Sequence, residues 1–138
     1  MDTISIAIDG PSGAGKSSLA RQAAAALSYL YVDTGAIYRT IACYVLRKGI
    51  DPADEASVIA ALPHIQVELT YGADGLQHMH LNGEDVTSEI RLPQVSACAS
   101  VVSAYPQVRS FLLDMQRTLA RTHNVIMDGR DIGTVVLP

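Results

Sequence analysis

The chain has 138 residues, which suits one compact domain or one domain that carries a small insertion. Hydrophobic residues make up 49% and charged residues 17% of the chain, which provides enough apolar material for a core and argues against disorder. The formal net charge of −4 gives no bulk electrostatic reason to expect binding to nucleic acid or to an anionic membrane.

Hydrophobic periodicity predicts that the chain begins with a βαβ unit followed by a further helix. The predicted elements are a strand over 3–8, a Gly-rich loop over 9–15, a helix over 16–28, a strand over 29–33 and a helix over 34–48 that ends at Gly49. Because a βαβ connection joins parallel strands, we expect these two strands to lie parallel in one sheet.

The pattern changes in the middle of the chain. Asp51 and Pro52 predict a new helix, with Asp51 as its N-cap and Pro52 at its first position, that stops near Pro63. A β-hairpin is predicted next, from strict alternation over 64–71, a turn over 72–75 and a returning strand over 76–82. Its period of two differs from the helical period on either side, so we interpret it as an insertion.

The remainder of the chain predicts two helices, over 92–104 and 106–122, and an apolar strand over 125–127 that carries Asp128 at its carboxyl end. The fold class expected from this order is α/β: a P-loop NTPase-type parallel sheet flanked by helices, with an inserted β-hairpin region. The boundaries that follow are a core over 1–62 and 92–138, and a hairpin insertion over 63–91.

Residues 135–138 are apolar and end without a polar closing segment. Three parallel strands with so little chain after the third would leave a sheet edge unpaired. We therefore expect the core to be incomplete at its C-terminus, as part of a longer protein.

The loop after the first strand carries the strongest chemical signal. Residues 10–17, GPSGAGKS, match the motif G-x-x-x-x-G-K-[ST] in full. Its glycines let backbone N–H groups turn toward phosphate oxygens, and the following helix adds the positive end of its dipole. A Gly-rich strand-to-helix turn is the plain structural alternative, but the motif lies between a predicted strand and a predicted helix, as phosphate binding requires.

The motif predicts binding of ATP together with Mg²⁺. Lys16 can reach the β- and γ-phosphates, and the Ser17 hydroxyl can be a ligand of the metal. The predicted ATP-binding residues are Gly10, Pro11, Ser12, Gly13, Ala14, Gly15, Lys16, Ser17 and Ser18.

Two further motifs predict a second, phosphate-bearing substrate. DTGAIYR, which contains Arg39, follows the second strand, and DGRDIGT, which contains Arg130, follows the third. Ligands of α/β proteins bind at the carboxyl ends of the strands, so both arginines are expected on the rim that holds the phosphate loop. The guanine-reading Asn-Lys-x-Asp run of a GTPase does not occur in the sequence. A kinase of a small nucleotide is therefore favoured.

The segments IDGPSGAGKSS, DTGAIYR, EDVTSEIR and MDGRDIGTVV, in this order, resemble the bacterial cytidylate (CMP) kinases. The resemblance runs from the first strand to the last residue. It implies the nucleoside monophosphate kinase fold, in which the hairpin region enlarges the monophosphate-binding part. It also implies transfer of the γ-phosphoryl group of ATP, with Mg²⁺, to CMP or dCMP, giving CDP or dCDP and ADP.

The resemblance also implies residue roles. Lys16, Arg39 and Arg130 would be the catalytic residues, with Arg39 and Arg130 on the CMP phosphate. The other CMP-binding residues would be Thr34, near the sugar, and Ser100, Arg109 and Asp131, on the cytosine edge. Independent chemistry supports this last group, because a carboxylate accepts from the cytosine N4 amino group and an arginine donates to N3 and O2. Uracil would present an acceptor to the same carboxylate.

The sequence departs from the family pattern mainly in length, because the downstream segment that supplies an Arg-rich lid over ATP is missing from it. Phosphoryl transfer needs cations around the transferred group and exclusion of water, so the 138-residue chain alone is expected to turn over poorly. Two alternatives stay open: a non-catalytic nucleotide-binding fragment, and a P-loop kinase of another small acceptor.

The remaining expectations concern surroundings and unassigned residues. With no signal peptide, no membrane-span-like segment and only two cysteines, we expect a cytoplasmic protein. We expect a monomer whose partners are ATP and CMP or dCMP, with no nucleic-acid or membrane partner. Cys43 and Cys98 lie on apolar helix patterns and are expected in the core, and His78 and His80 are expected to be strand residues rather than metal ligands.

Overall fold

The computed structural model describes residues 4–9, 22, 26–27, 30–73, 77–122 and 125–129. The chain divides into two compact units, one comprising Met1–Gly35 with Leu113–Pro138 and the other Ala36–Leu112. The described elements, in chain order, are strands and helices β1 (Ser5–Asp9), β2 (Leu30–Asp33), α1 (Thr34–Arg47), α2 (Glu55–Ala61), β3 (Val67–Tyr71), β4 (Gln77–Leu81), β5 (Glu84–Asp85), α3 (Pro93–Val102), α4 (Pro106–Thr122) and β6 (Val125–Gly129).

The first unit contains a parallel sheet in the order β1-β6-β2. The prediction that the first two strands lie parallel in one sheet is confirmed, but β6 lies between them and pairs with both. The middle strand has the apolar run Val125-Ile126-Met127, which suits a strand with a neighbour on each side. Of the helix predicted over 16–28, only Gln22, Ala26 and Leu27 are described, and these three are helical.

Helix α1 follows β2 without a loop and agrees with the predicted helix to within one residue. Ile37, Ile41 and Val45 recur every four residues and are fully buried. The helix ends in a Schellman motif, because Gly49 has φ of 66° and the N–H of Ile50 donates to the Val45 carbonyl at 3.0 Å. A residue with a Cβ would be strained at that φ, which explains why glycine follows the helix.

The predicted start of the next helix was wrong by about one turn. Helix α2 begins at Glu55, and its N-cap is Asp54, whose carboxylate accepts from the Ser57 N–H at 3.2 Å and the Ser57 hydroxyl at 2.7 Å. Asp51 instead forms a turn, with its carbonyl accepting from the Asp54 N–H at 2.9 Å. Both aspartates are suitable N-cap residues. Asp54 is the N-cap here because its side chain accepts hydrogen bonds from two donors of Ser57.

The predicted hairpin is confirmed as the antiparallel pair β3 and β4, to which β5 adds a third strand. The first strand begins three residues later than predicted, because His64 lies in a short 3₁₀ helix, Leu62–His64. Asn82 and Gly83, with φ of 50° and 87°, connect β4 to β5. This Asn-Gly pair has the left-handed backbone of a tight hairpin turn.

The remaining helices, α3 and α4, match the predicted segments closely, although α3 is shorter at both ends. Cys43 on α1 and Cys98 on α3 are buried, as predicted. The Tyr105 hydroxyl, between the two helices, donates to the Pro52 carbonyl at 2.6 Å and so ties this connection to the start of the α2 segment. Among the described helices, none combines the length and the apolar run that crossing a membrane would need.

Candidate functional site

The carboxyl ends of the three parallel strands define one edge of the sheet in the first unit. Asp9 at the end of β1 is in register with Gly129 at the end of β6, and Asp33 at the end of β2 is in register with Asp128. In the sequence, the motif GPSGAGKS begins one residue after Asp9. The motifs DTGAIYR and DGRDIGT begin at Asp33 and Asp128 themselves, so all three start from neighbouring strand ends.

Many of the predicted site residues lie outside the part of the chain that the structure describes. These are Gly10, Pro11, Ser12, Gly13, Ala14, Gly15, Lys16, Ser17, Ser18, Arg130 and Asp131. Their roles in binding ATP, Mg²⁺ and CMP therefore stay predictions from the sequence.

Two predicted CMP-binding residues lie on α1. Thr34 is its first residue and is only 3% exposed, directly after Asp33 at the strand edge. Arg39, also on this helix, is half-buried. Partial burial removes water from the guanidinium group, so an arginine in such a position is usually paired with another polar group.

The other two described residues, Ser100 and Arg109, lie in the second unit with Arg39. Ser100 is exposed on α3, and its hydroxyl donates to the Ser96 carbonyl at 3.2 Å. Arg109 is half-buried on α4. The Ser100 hydroxyl uses its hydrogen within the helix and keeps its oxygen as an acceptor.

The two histidines named from the sequence make polar contacts along the small antiparallel sheet. His78 Nδ1 lies 3.3 Å from an Asp85 carboxylate oxygen, and His80 Nε2 lies 3.0 Å from the Thr70 hydroxyl. Over the described ranges, no group of three or more His, Cys, Asp or Glu side chains is arranged to hold a metal ion. Both histidines are residues of β4.

Four described residues form a polar cluster that the sequence did not reveal. We name it the Arg47 cluster; it consists of Cys43, Arg47, Glu84 and Glu89. Arg47 donates from Nη1 and Nη2 to the two carboxylate oxygens of Glu84 at 3.1 and 2.6 Å. It also donates from Nε and Nη2 to the two oxygens of Glu89 at 2.8 and 2.7 Å. The guanidinium fork thus grips two carboxylates at once.

The thiol of Cys43 completes the cluster. Its Sγ donates to Oε2 of Glu89 at 2.7 Å, and the residue is fully buried. Burial, and then the bond to Glu89, raise the pKa of Cys43 to about 12, so the thiol stays protonated. The bonds from Arg47, and then from Cys43, lower the pKa of Glu89 to about 2. The bond from Arg47 also lowers the pKa of Glu84.

An open cavity of about 270 Å³ adjoins the Arg47 cluster, between the end of α1 and the turn from β4 to β5. Lys48 lies over the Tyr44 ring, with Nζ 5.6 Å from the ring centroid. The residues that line the cavity are Tyr44, Arg47, Lys48, Leu81, Asn82 and Glu84. The cavity leaves the cluster partly open to water, and the Arg47 side chain is 35% exposed.

We expect the Arg47 cluster to make stability depend on pH in the acid range. The pKa of Glu89 lies near 2 in the folded chain, below its ordinary value of 4.5, so its stabilisation is present above about pH 4.5 and is lost as the pH falls toward 2. Between pH 6 and pH 3, Tm should therefore fall by roughly 3 °C more in the wild type than in Glu89→Gln.

The control for this measurement is Glu68→Gln, on the exposed face of β3. That variant should keep the wild-type loss between the two pH values. If Tm fell equally in Glu89→Gln and in the wild type, the Arg47 cluster would not be the cause of the loss of stability at low pH.

The order of elements and the position of the motifs define a class of protein. Mixed helices and sheets, with a phosphate-binding motif and arginine motifs starting at the ends of parallel strands, are consistent with a nucleoside monophosphate kinase fold. The chain belongs to the cytidylate kinase family, because a profile of that family, described as cytidylate kinase, matches residues 6–138.

Curated relatives support this membership. A protein named cytidylate kinase from Symbiobacterium thermophilum is 53% identical over 133 residues, which is 96% of this chain and 59% of the relative. One of the same name from Caldicellulosiruptor bescii is 48% identical over 138 residues, which is 100% of this chain and 61% of the relative. The chain thus spans about three fifths of the length of these relatives.

Proposed function

We propose that the whole protein transfers the γ-phosphoryl group of ATP to CMP or dCMP, giving ADP and CDP or dCDP. The observation that carries the proposal is the register Asp9↔Gly129 and Asp33↔Asp128, because three phosphate-related motifs start from these adjacent strand ends. Family membership and the names of the relatives add to it. A reaction between two phosphate-bearing substrates needs both to meet at one edge, which this register favours.

In the proposal, the ATP side of the site is the loop of residues 10–18. Lys16 binds the β- and γ-phosphates, and Ser17 offers its hydroxyl oxygen to Mg²⁺. Oxygen ligands suit this metal, and Asp33 and Asp128, which are in register on adjacent strands, would be the acidic residues assigned to orient water bound to it. When bound, Mg²⁺ neutralises negative charge that builds up on the transferred group.

The acceptor side is assigned to cationic and polar residues from several elements. Arg39 and Arg130 bind the CMP phosphate, and Thr34 lies near the sugar. The proposed catalytic set is Lys16, Arg39 and Arg130; it holds donor and acceptor in line without a protein nucleophile. The chemistry therefore depends on position and charge, as expected for phosphoryl transfer.

The cytosine base is assigned to Ser100, Arg109 and Asp131. Asp131 accepts from the N4 amino group, and Arg109 donates to the ring acceptors. Residues 63–91 are proposed as the monophosphate-binding region inserted into a core of 1–62 and 92–138. The protein is further proposed to act as a cytoplasmic monomer on these small substrates, without nucleic acid or membrane as a partner.

The test is an acceptor screen with the complete protein and, in parallel, with the 138-residue chain. ADP release from ATP is measured with CMP, dCMP, UMP, AMP and shikimate as acceptors. CMP and dCMP should be preferred, with the 138-residue chain slower than the complete protein. Nucleotide binding without ADP release in the complete protein would favour the non-catalytic alternative, and a preference for another acceptor would favour a different kinase.

Asp131→Ala tests the proposed recognition of the cytosine base by the Asp131 carboxylate. The ratio of kcat/KM for CMP over UMP should fall by about 10- to 100-fold, because the N4 amino group loses its acceptor and uracil loses a repulsive contact. KM for ATP should change by less than about twofold, since the proposal assigns the carboxylate to the base of the acceptor and not to the donor. Steady-state kinetics with both acceptors gives these ratios.

The matched control is Asp114→Ala, at an exposed position of α4. It should keep the wild-type preference for CMP. If Asp131→Ala lowers activity equally with every acceptor, the residue does not read the base.

A further inference from the structure

Arg39, Cys43 and Arg47 form one row along α1. They are four residues apart, and residues four apart lie one above the other on a helix face. Arg39 and Arg47 are separated by about 12 Å along the helix axis, at 1.5 Å for each residue. The two lower members of the row, Cys43 and Arg47, both donate to Glu89, so a single carboxylate holds two successive turns of this face.

The opposite face of α1 is held differently. Ile37, Ile41 and Val45 lie about 200° around the helix from that row and are fully buried. The hydrophobic effect is not directional in itself, so polar contacts with fixed geometry add a separate restraint on the rotation of the helix. Hydrogen bonds to charged groups have defined distances and angles, and these occur on the side of the Arg47 cluster.

The partners of Arg47 belong to a short segment that comprises the last strand of the antiparallel sheet and the 3₁₀ helix after it. Glu84 lies in β5, and Glu89 lies in the 3₁₀ helix Glu89–Arg91. Val86 and Ile90, between and beside them, are 1% and 2% exposed, so the backbone that carries the two carboxylates is itself anchored in the core. The carboxylates are therefore held on an anchored segment, and α1 is oriented against them.

We propose that Arg47 is a positioning residue: through Glu84 and Glu89 it sets the rotation of α1 and thereby the direction of Arg39 at the acceptor phosphate. This inference rests on the proposed function, in which Arg39 binds that phosphate. Arg47 does not touch substrate in this proposal. A small rotation of the helix displaces the Arg39 guanidinium sideways, and a bidentate contact with phosphate tolerates little displacement.

Arg47→Met tests the proposal, with Lys48→Met as its matched control. Both substitutions remove one positive charge from the C-terminal end of α1, so they change the helix-dipole interaction alike, but only Arg47 bonds the two glutamates. Arg47→Met should raise KM for CMP by about 3- to 10-fold and leave KM for ATP within about twofold. Lys48→Met should leave both constants within about twofold of the wild type.

A second set of variants guards against loss of stability as the explanation. Glu89→Gln and the double variant Arg47→Met with Glu89→Gln are measured at a temperature well below their Tm. If one cluster orients the helix, the rise in KM for CMP in the double variant should be smaller than the product of the two single-variant rises, because the two substitutions break shared contacts. Independent effects would instead multiply.

The outcomes separate the two proposals. A selective rise in KM for CMP in Arg47→Met, absent from Lys48→Met, supports the positioning role. The positioning role is overturned if the wild type phosphorylates CMP but Arg47→Met has the same KM for CMP as Lys48→Met, or changes only Tm. The proposed function would then remain intact. A complete wild-type protein that fails to phosphorylate CMP overturns the proposed function, and the role of Arg47 with it.

Discussion

Replacing Lys16 by methionine is expected to lower kcat for CMP phosphorylation by about 100- to 1000-fold. Lys16 is the lysine of the G-x-x-x-x-G-K-[ST] motif, and its ammonium group is proposed to neutralise charge on the β- and γ-phosphates as the bond to the transferred group breaks. Methionine keeps most of the chain length and apolar stem and removes only the charge. Steady-state kinetics of ADP release, with ATP and CMP both saturating, measures the loss.

Lys48 is the other lysine of the chain, and Lys48→Met is the matched control for Lys16→Met. It should keep nearly wild-type kcat, because Lys48 is exposed at the end of α1 over the Tyr44 ring. If Lys16→Met lost less than about tenfold in kcat, the loop would not supply the main electrostatic stabilisation of the transferred group. The phosphate motif would then be a structural turn.

Replacing Arg39 by methionine is expected to lower kcat/KM for CMP by about 100-fold, with KM for ATP changed by less than about twofold. A guanidinium can bind a phosphate through two parallel hydrogen bonds, and its loss leaves the acceptor dianion without one of two proposed cations. Arg39→Lys should recover only part of the activity, because an ammonium is a point charge without the planar fork. Varying CMP at fixed ATP, and ATP at fixed CMP, separates the two constants.

Lys48→Met serves again as the control for Arg39→Met, because Lys48 is an exposed cation directly after α1 and has no proposed role in the reaction. Its kinetic constants should stay within about twofold of the wild type. An Arg39→Met variant that loses activity through KM for ATP, with KM for CMP unchanged, would place the side chain on the donor side and contradict the assignment.

These variants probe different steps of one proposed arrangement. Lys16 and Arg39 act on phosphate groups directly, so their loss is expected to cost more than that of Arg47, which acts through the rotation of α1. The smaller loss of activity expected for Arg47→Met also follows from exposure. The bonds of the Arg47 cluster are partly open to water and are weakened by solvent screening. A larger loss in Arg47→Met than in Arg39→Met would contradict this ordering.

Local patterns were enough to predict most elements of secondary structure. The helix from Thr34 and the helix from Pro106 begin where the sequence predicted, and the alternation of β3 predicted the hairpin. Such patterns depend on neighbours within about four residues, so they can be read along the chain. The prediction of where α2 starts was wrong because Asp51 and Asp54 are both good N-cap residues. The choice between them depends on which side chain also accepts hydrogen bonds from Ser57.

By itself, then, the sequence determined the periodicity of the elements, the burial of the two cysteines and the motifs that identify the family. Only the tertiary structure decided that β6 lies between β1 and β2, and that Arg47 bonds Glu84 and Glu89. The latter contacts join residues 37 and 42 positions apart. Residues so far apart in sequence meet only after the helices and the sheet have packed, so no local spacing encodes their meeting.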